Sequence, residues 1–227
     1  MPKPSPFHER TSVLNESLRW KDWGGYAAAC AYATYPEREY FALRHSAGLI
    51  DVSPLFKYEI QGVDAADFLS WVMTKNIAKL KNNKVTYCCW CDEEGKVVDD
   101  GTVTRLSSDK FRVTAAEPCF FWFKRYAGGF DVSITDNTEE MGVLSLQGPL
   151  SKGILEELTQ SDLSGLKFFS HTSSTIEEAQ VDISRTGYTG DLGYEIWVEN
   201  RWAVQVYDRL IDVGRSYGML PAGLDAM

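Results

Sequence analysis

The sequence predicts an α+β fold of mainly antiparallel sheet with packed helices, and three observations predict it. Strand-like runs are joined by compact hairpin signals at Asp92-Glu93-Glu94-Gly95 and Ser107-Ser108-Asp109, which favour antiparallel pairing. Other segments carry apolar residues at helical spacing. No Pro-, Gly- or Ser-rich linker divides the chain, so two strand–helix blocks are expected to pack intimately.

The elements follow in order. Pro36 to Ser46 reads as a helix entered through Pro36, with Tyr40, Leu43 and Ala47 on its apolar side. Leu49 to Val52 and Phe56 to Ile60 read as strands, and Asp64 caps a helix to Val72 whose apolar face is Ala65, Phe68, Leu69 and Val72. Val85 to Cys91, Val97 to Arg105 and Lys110 to Ala115 read as strands, Phe120 to Tyr126 as an aromatic helix, and Phe130 to Thr135 as a strand after Gly128-Gly129. The same grammar recurs downstream. Met141 to Leu146 is a strand, Gln147-Gly148-Pro149 a turn, Leu150 to Leu158 a helix, and Ile176 to Ile183 another strand. Trp202 to Tyr217 is a long amphipathic helix that offers Val204, Val206, Tyr207, Leu210 and Ile211 for burial.

Bulk properties narrow the function. With 227 residues, 44% hydrophobic and 13% aromatic, the chain can bury a real core. A net charge of −9, from 32 acidic against 23 basic residues, argues against nucleic acid or an anionic membrane as partner. The N-terminus lacks an apolar signal core, and no run approaches the ~18 apolar residues of a membrane span. A cytoplasmic protein is expected.

Five cysteines fit free thiols better than a disulfide framework. Cys88, Cys89 and Cys91 lie on a strand, so Cys89 and Cys91 share a face and Cys88 takes the other; without a C-x-x-C pair they read as small apolar residues, and no metal site is expected. His8, His45 and His171 are scattered and form no H-E-x-x-H or Ser-His-Asp pattern. Neither a dinucleotide nor a triphosphate glycine cradle is present.

The densest motif is Ser184 to Ile196, Ser-Arg-Thr-Gly-Tyr-Thr-Gly-Asp-Leu-Gly-Tyr-Glu-Ile, between strand-like Ala179 to Ser184 and Tyr194 to Val198. Gly187, Gly190 and Gly193 let a flat ligand approach the main chain, Tyr188 and Tyr194 offer flat walls, and Asp191 and Glu195 supply carboxylates. A carboxylate accepts both donors of a heterocycle that carries an amino group beside a ring N–H. The other reading is a glycine-rich hairpin with solvated carboxylates.

Four motifs in order resemble the aminomethyltransferase family, best known from the T-protein of the glycine cleavage system, which works with tetrahydrofolate. They are Arg44-His45-Ser46-Ala47-Gly48-Leu49-Ile50-Asp51-Val52-Ser53, Glu94-Gly95-Lys96-Val97-Val98-Asp99-Asp100, Leu146-Gln147-Gly148-Pro149, and Arg185 to Ile196. The resemblance implies two interleaved subdomains around a central folate cavity: residues 1–52 with 138–227, and an inserted 53–137. It also implies a β-barrel-like C-terminal domain that the chain lacks. Asp99, the first Asp of its pair, corresponds to the family's catalytic aspartate beside the folate nitrogen that receives the one-carbon unit. Such a carboxylate orients the nitrogen lone pair and stabilises developing positive charge. Glu195 resembles the carboxylate that forks onto the pterin, Tyr87 sits where the family has a tyrosine near folate, and Tyr188 resembles a pocket wall, while Asp191 reads as a turn residue.

The resemblance implies a tetrahydrofolate-dependent one-carbon transferase with a small-molecule methyl or aminomethyl donor, or a lipoyl carrier protein as partner. Three departures from the family's pattern stand out, the first two of them on the substrate side. Pro54 stands where the T-protein has His, Ala116 where an asparagine near folate is expected, and Met227 where it has an arginine. A related branch demethylates aromatic methyl ethers, sulfonium compounds or N-methyl amines on the same scaffold, and Pro54 and Ala116 are compatible with it. A non-catalytic folate-binding accessory protein is a further alternative; the iron–sulfur-maintenance type carries Lys-Gly-Cys-Tyr-x-Gly-Gln-Glu, whereas Gly187 precedes Tyr188 here.

Overall fold

The computed structural model describes residues 1–159 and 161–227. Its elements are α1 (His8–Leu14), β1 (Arg19–Trp23), β2 (Tyr26–Ala31), α2 (Glu37–His45), β3 (Gly48–Asp51), β4 (Phe56–Gln61), α3 (Ala65–Val72), β5 (Lys84–Cys91), β6 (Val97–Arg105), β7 (Lys110–Ala115) and α4 (Phe120–Tyr126). Then come β8 (Ser133–Asp136), β9 (Met141–Gln147), α5 (Ser151–Thr159), β10 (His171–Ile176), β11 (Ala179–Ser184), β12 (Gly193–Glu199), α6 (Ala203–Ser216) and β13 (Leu220–Pro221). The α+β expectation holds, and every strand pair within a sheet is antiparallel except β13 with β3.

Contacts divide the chain into unit 1, Met1–Pro54 with Glu140–Met227, and unit 2, Leu55–Glu139. Unit 1 holds a six-stranded sheet in the order β10-β11-β12-β9-β3-β13 and the β1–β2 hairpin. Along β12, Tyr194, Ile196 and Val198 alternate onto the core side, where they meet Leu144 and Leu146 of β9 and Val206, Tyr207 and Leu210 of α6. Burying each such aliphatic side chain contributes about 1.5–3 kcal/mol. The opposite side of β12 carries Glu195, which leaves that face free for polar chemistry.

Unit 2 is a five-stranded sheet in the order β5-β6-β7-β4-β8. Its core contains Trp90, Val103, Phe111, Val113 and Phe123, with Ala65, Phe68, Leu69 and Val72 of α3 buried as their spacing predicts. Asp64 precedes that helix without a side-chain cap bond; its carboxylate instead accepts from Asp131 N at 2.8 Å.

Three local readings are corrected. The strand expected from Ile176 to Ile183 is a hairpin, because Glu177 adopts φ 52° and reverses the chain between β10 and β11. The strand expected from Phe130 is confined to Ser133–Asp136. On α2, Tyr40 is exposed and Glu39 is buried. Glu39 Oε1 accepts from Tyr32 N and Ala33 N, both at 2.7 Å, and Oε2 from Gly223 N at 2.8 Å. Those three donors would otherwise be orphaned in the interior. Glu39→Gln, which replaces one acceptor oxygen with a competing donor, is therefore expected to cost about 2 kcal/mol in urea unfolding. A change under about 0.5 kcal/mol would remove this role from Glu39.

Candidate functional site

The glycine-rich turn between β11 and β12 is built around a residue that pattern reading missed. Gln147, at the end of β9, is fully buried and pairs in register with Gly193. A Cβ on Gly193 would lie 1.9 Å from Gln147 Oε1, and one on Gly187 would lie 2.2 Å from the same atom. Two of the three glycines thus make room for the glutamine amide, not for a flat ligand as expected. The third, Gly190, turns the chain at φ 77°.

Gln147 holds the turn through its amide. Its Nε2 donates to Ser145 Oγ at 2.9 Å and to Thr186 O at 3.2 Å, and its Oε1 accepts from Thr189 Oγ1 at 3.0 Å. Arg44, from the first motif, adds an ion pair to Asp191 and donates to Thr189 O at 2.8 Å. Asp191 is therefore a turn residue, as expected. The signal for Gln147 was present in Leu146-Gln147-Gly148-Pro149, but only the fold brings it under the turn.

Glu195 faces away from the unit 1 core at the end of a relay of hydroxyls. Trp197 Nε1 donates to Ser184 Oγ at 3.3 Å, Ser184 Oγ lies 2.7 Å from Thr186 Oγ1, and Thr186 Oγ1 donates to Glu195 Oε2 at 2.6 Å. Ser184 Oγ also lies 3.4 Å from that oxygen. Among the described residues, the hydrogen bonds to this carboxylate fall on Oε2, so Oε1 is available to accept from a ligand. Burial raises the Glu195 carboxyl above its ordinary range, against the lowering effect of the Thr186 and Ser184 bonds. Tyr188, at 88% exposed, stands out at the tip of the turn, whereas Tyr194 is a core residue of unit 1 and no pocket wall.

In unit 2 the register of β5 against β6 decides which aspartate faces where. Trp90 pairs with Asp99 and Cys89 with Asp100, so Asp99 shares the core face with Trp90, and Asp100 shares the opposite face with Cys89 and Tyr87. Asp99 is only 6% exposed. Its Oδ1 accepts from Asp100 N at 2.8 Å, and its Oδ2 from Glu117 N at 2.9 Å with Cys119 Sγ at 3.6 Å. Asp99 therefore fastens the loop from Ala116 into α4, which is a positioning task. Asp100 receives a hydrogen bond from the hydroxyl of Tyr87, whose side chain is half exposed. Tyr87 thus lies on an accessible face, and its acidic neighbour there is Asp100.

Among the described residues, no three His, Cys, Asp or Glu side chains gather in a way that could hold a metal ion, and no helix is long and apolar enough to cross a membrane. Fold and turn together define a class of α+β protein in which one antiparallel-sheet unit interrupts another and a buried glutamine straps a glycine-rich turn to the outer one. The chain belongs to the GCVT N-terminal domain family, whose profile matches residues 8–227.

Similar proteins agree with that assignment. The aminomethyltransferase of Thermoanaerobacter sp. (strain X514) is 38% identical over 229 residues, which cover 99% of this chain and 61% of that protein. The aminomethyltransferase of Alkaliphilus metalliredigens is 37% identical over 211 residues, covering 90% and 57%. Among solved structures, the glycine cleavage system aminomethyltransferase T from Bartonella henselae superposes with TM-score 0.89 at 25% identity over all of this chain and 61% of that one. The heterotetrameric sarcosine oxidase from Corynebacterium sp. U-96, in complex with pyrrole 2-carboxylate, shares the fold, with TM-score 0.64 at 15% identity over 95% of this chain and 96% of that one. The chain thus spans about three fifths of the length of the curated relatives it matches.

Proposed function

We propose that the protein carrying this chain is a tetrahydrofolate-dependent one-carbon transferase, moving a methylene or methyl group from an amine or related donor to the reduced folate. The observation that carries this reading is Glu195, with one oxygen fixed by Thr186 and the other available to a ligand. A pterin presents an amino group beside a ring N–H, and a carboxylate pinned on one side accepts that donor pair with little loss of side-chain freedom. The relatives named aminomethyltransferase support the reaction class.

Bound tetrahydrofolate supplies a nitrogen that takes up the one-carbon unit. Glu195 binds and orients the pterin, with Tyr188 as an aromatic surface on the same turn. Asp100, oriented by Tyr87 OH, holds the lone pair of the accepting nitrogen in line and stabilises positive charge near it. The catalytic role that sequence resemblance gave to Asp99 passes to Asp100, because Asp99 is committed to Glu117 N in the core.

Ala116 is exposed on the loop that Asp99 anchors. Demethylation of a small methyl donor is the second reading, with which Pro54 and Ala116 are compatible. A cytoplasmic setting suits the five free cysteines.

Glu195 gives the test. Between the ordinary carboxyl value and its raised one, folded Glu195 keeps a proton that the unfolded chain has lost, so its contribution to stability falls as pH rises through that window. The donors of a pterin favour the ionised form, so folate affinity is expected to rise across the same window. Unfolding curves against pH should show the first effect lost in Glu195→Gln, and titration calorimetry with reduced folate the second, with affinity down about 30-fold, or about 2 kcal/mol. Equal affinities for the two proteins would remove Glu195 from the site.

A further inference from the structure

We infer that Trp197 is a positioning residue for Glu195: its indole N–H sets the direction of the hydroxyl relay, so that a proton carried by Glu195 sits on Oε1 and leaves when a ligand's donors arrive there. That role rests on the reading of Glu195 as the pterin-binding carboxylate. Ser184 pairs in register with Glu195 and Asp182 with Trp197, which places Ser184, Glu195 and Trp197 on one face of the unit 1 sheet. Ser184, Thr186 and Trp197 are each more than nine-tenths buried, so every polar hydrogen among them needs a partner within the protein.

An indole N–H only donates, whereas a hydroxyl donates once and also accepts. Trp197 Nε1 donates to Ser184 Oγ, so the Ser184 hydrogen turns to Thr186 Oγ1 and the Thr186 hydrogen to Glu195 Oε2. A proton on Oε2 would reverse this order. Thr186 would then donate back to Ser184, whose own hydrogen would keep only the long 3.4 Å approach to that same Oε2. A hydrogen bond lost in so buried a site carries a penalty. The neutral acid therefore holds its proton on Oε1 and meets a ligand as a donor, while the ionised form meets it as an acceptor. Only the ionised form suits the amino group and ring N–H of a pterin. Capture thus sends the Oε1 proton to solvent, and the ligand's N–H groups take its place.

Burial supplies the proton to be released, since it raises the Glu195 carboxyl against the lowering effect of Thr186 and Ser184. The neighbouring charges are engaged with one another. His171 Nε2 on β10 lies 3.2 Å from Asp182 Oδ1 on β11, and Asp191 on the turn pairs with Arg44. On β9, Ser145 stands opposite Glu195, and Gln147 is likewise uncharged. His171 is the cross-strand partner of Ser184, so its own titration has to be separated from that of Glu195.

Calorimetric titration of the full gene's product with reduced folate, repeated in buffers of different ionisation enthalpy, counts the protons released. Below the raised Glu195 value about one proton per bound folate is expected, falling toward none as pH rises through it. His171→Gln should release as many as wild type. In Trp197→Phe the relay is free to reverse and the proton to move to Oε2, so release should fall by at least half; a tryptophan that only fills space would leave the count unchanged. No release by wild type in that window, loss of release in His171→Gln, or full release by folded Trp197→Phe overturns the assignment. Should Trp197→Phe fail to fold, the wild-type and His171→Gln counts still decide. The ligand-free protein gives a second readout, the infrared carbonyl band of neutral Glu195, isolated by difference against Glu195→Gln. In wild type that carbonyl is Oε2, bonded by Thr186; in Trp197→Phe it becomes Oε1 and the band should move to higher frequency, whereas an unmoved band overturns the assignment. Failure of wild type to bind folate would instead count against the proposed function, and the infrared result would still decide the direction of the relay.

Discussion

Asp100→Asn is expected to slow one-carbon transfer by about 100-fold or more while reduced-folate affinity stays within about threefold. The substitution keeps the shape and one acceptor for Tyr87 OH, but removes the charge that stabilises the transition state. Asp99→Asn is expected to behave oppositely. It weakens a buried carboxylate that accepts from two backbone N–H groups, so it should cost about 2 kcal/mol of stability and leave the rate per folded molecule near that of wild type. Both are measured in the product of the full gene, with unfolding curves beside initial rates. A rate defect in Asp99→Asn and none in Asp100→Asn would return catalysis to the first aspartate of the pair.

The second large effect concerns the strapped turn. Gly193→Ala puts a methyl 1.9 Å from Gln147 Oε1 inside a fully buried strand pair, where neither backbone can retreat without breaking ladder bonds. Overpacking of this kind costs about 3 kcal/mol. For a chain of this size that is roughly 6–12 °C in Tm. Gln147→Ala alone is also destabilising, because it strands the partners Thr189 Oγ1 and Thr186 O. Yet the double variant should be more stable than the sum of the two predicts, by about 1 kcal/mol or more, since the new methyl occupies space the amide has left. Strict additivity in thermal unfolding would show that the glycine is not there for the glutamine.

How much could be read in advance follows the range of the interactions. The helix at Ala65, Phe68, Leu69 and Val72 was legible because its pattern is local and its face is buried as the period requires. The four motifs identified the family, and the face division of Cys88 from Cys89 and Cys91 followed from the strand period alone. The β10–β11 hairpin was hidden because its reversal rests on Glu177 at positive φ, with no Gly or Asn to mark it.

That Asp99 and not Asp100 faces the core was hidden for another reason. Which of two consecutive strand residues faces the core is set by register, and here the register depends on an irregularity next to the Asp92–Gly95 turn. Glu39 and Gln147 were missed because their partners are far away in sequence. Gly223 lies 184 residues from Glu39, and Thr189 lies 42 residues from Gln147. A polar residue buried for distant partners leaves no periodic trace.

The interruption of unit 1 by unit 2 has a consequence for how the chain is made. β3 finds its neighbour in β9, so the strand must wait through synthesis of the whole of Leu55–Glu139 before it can pair. Unit 2, by contrast, draws all five strands from one continuous stretch and can close its sheet as soon as that stretch leaves the ribosome. The order of assembly is then inside first, with β3 held open as an unpaired strand until β9 and β13 arrive, and that interval is when the nascent protein depends most on protection from aggregation.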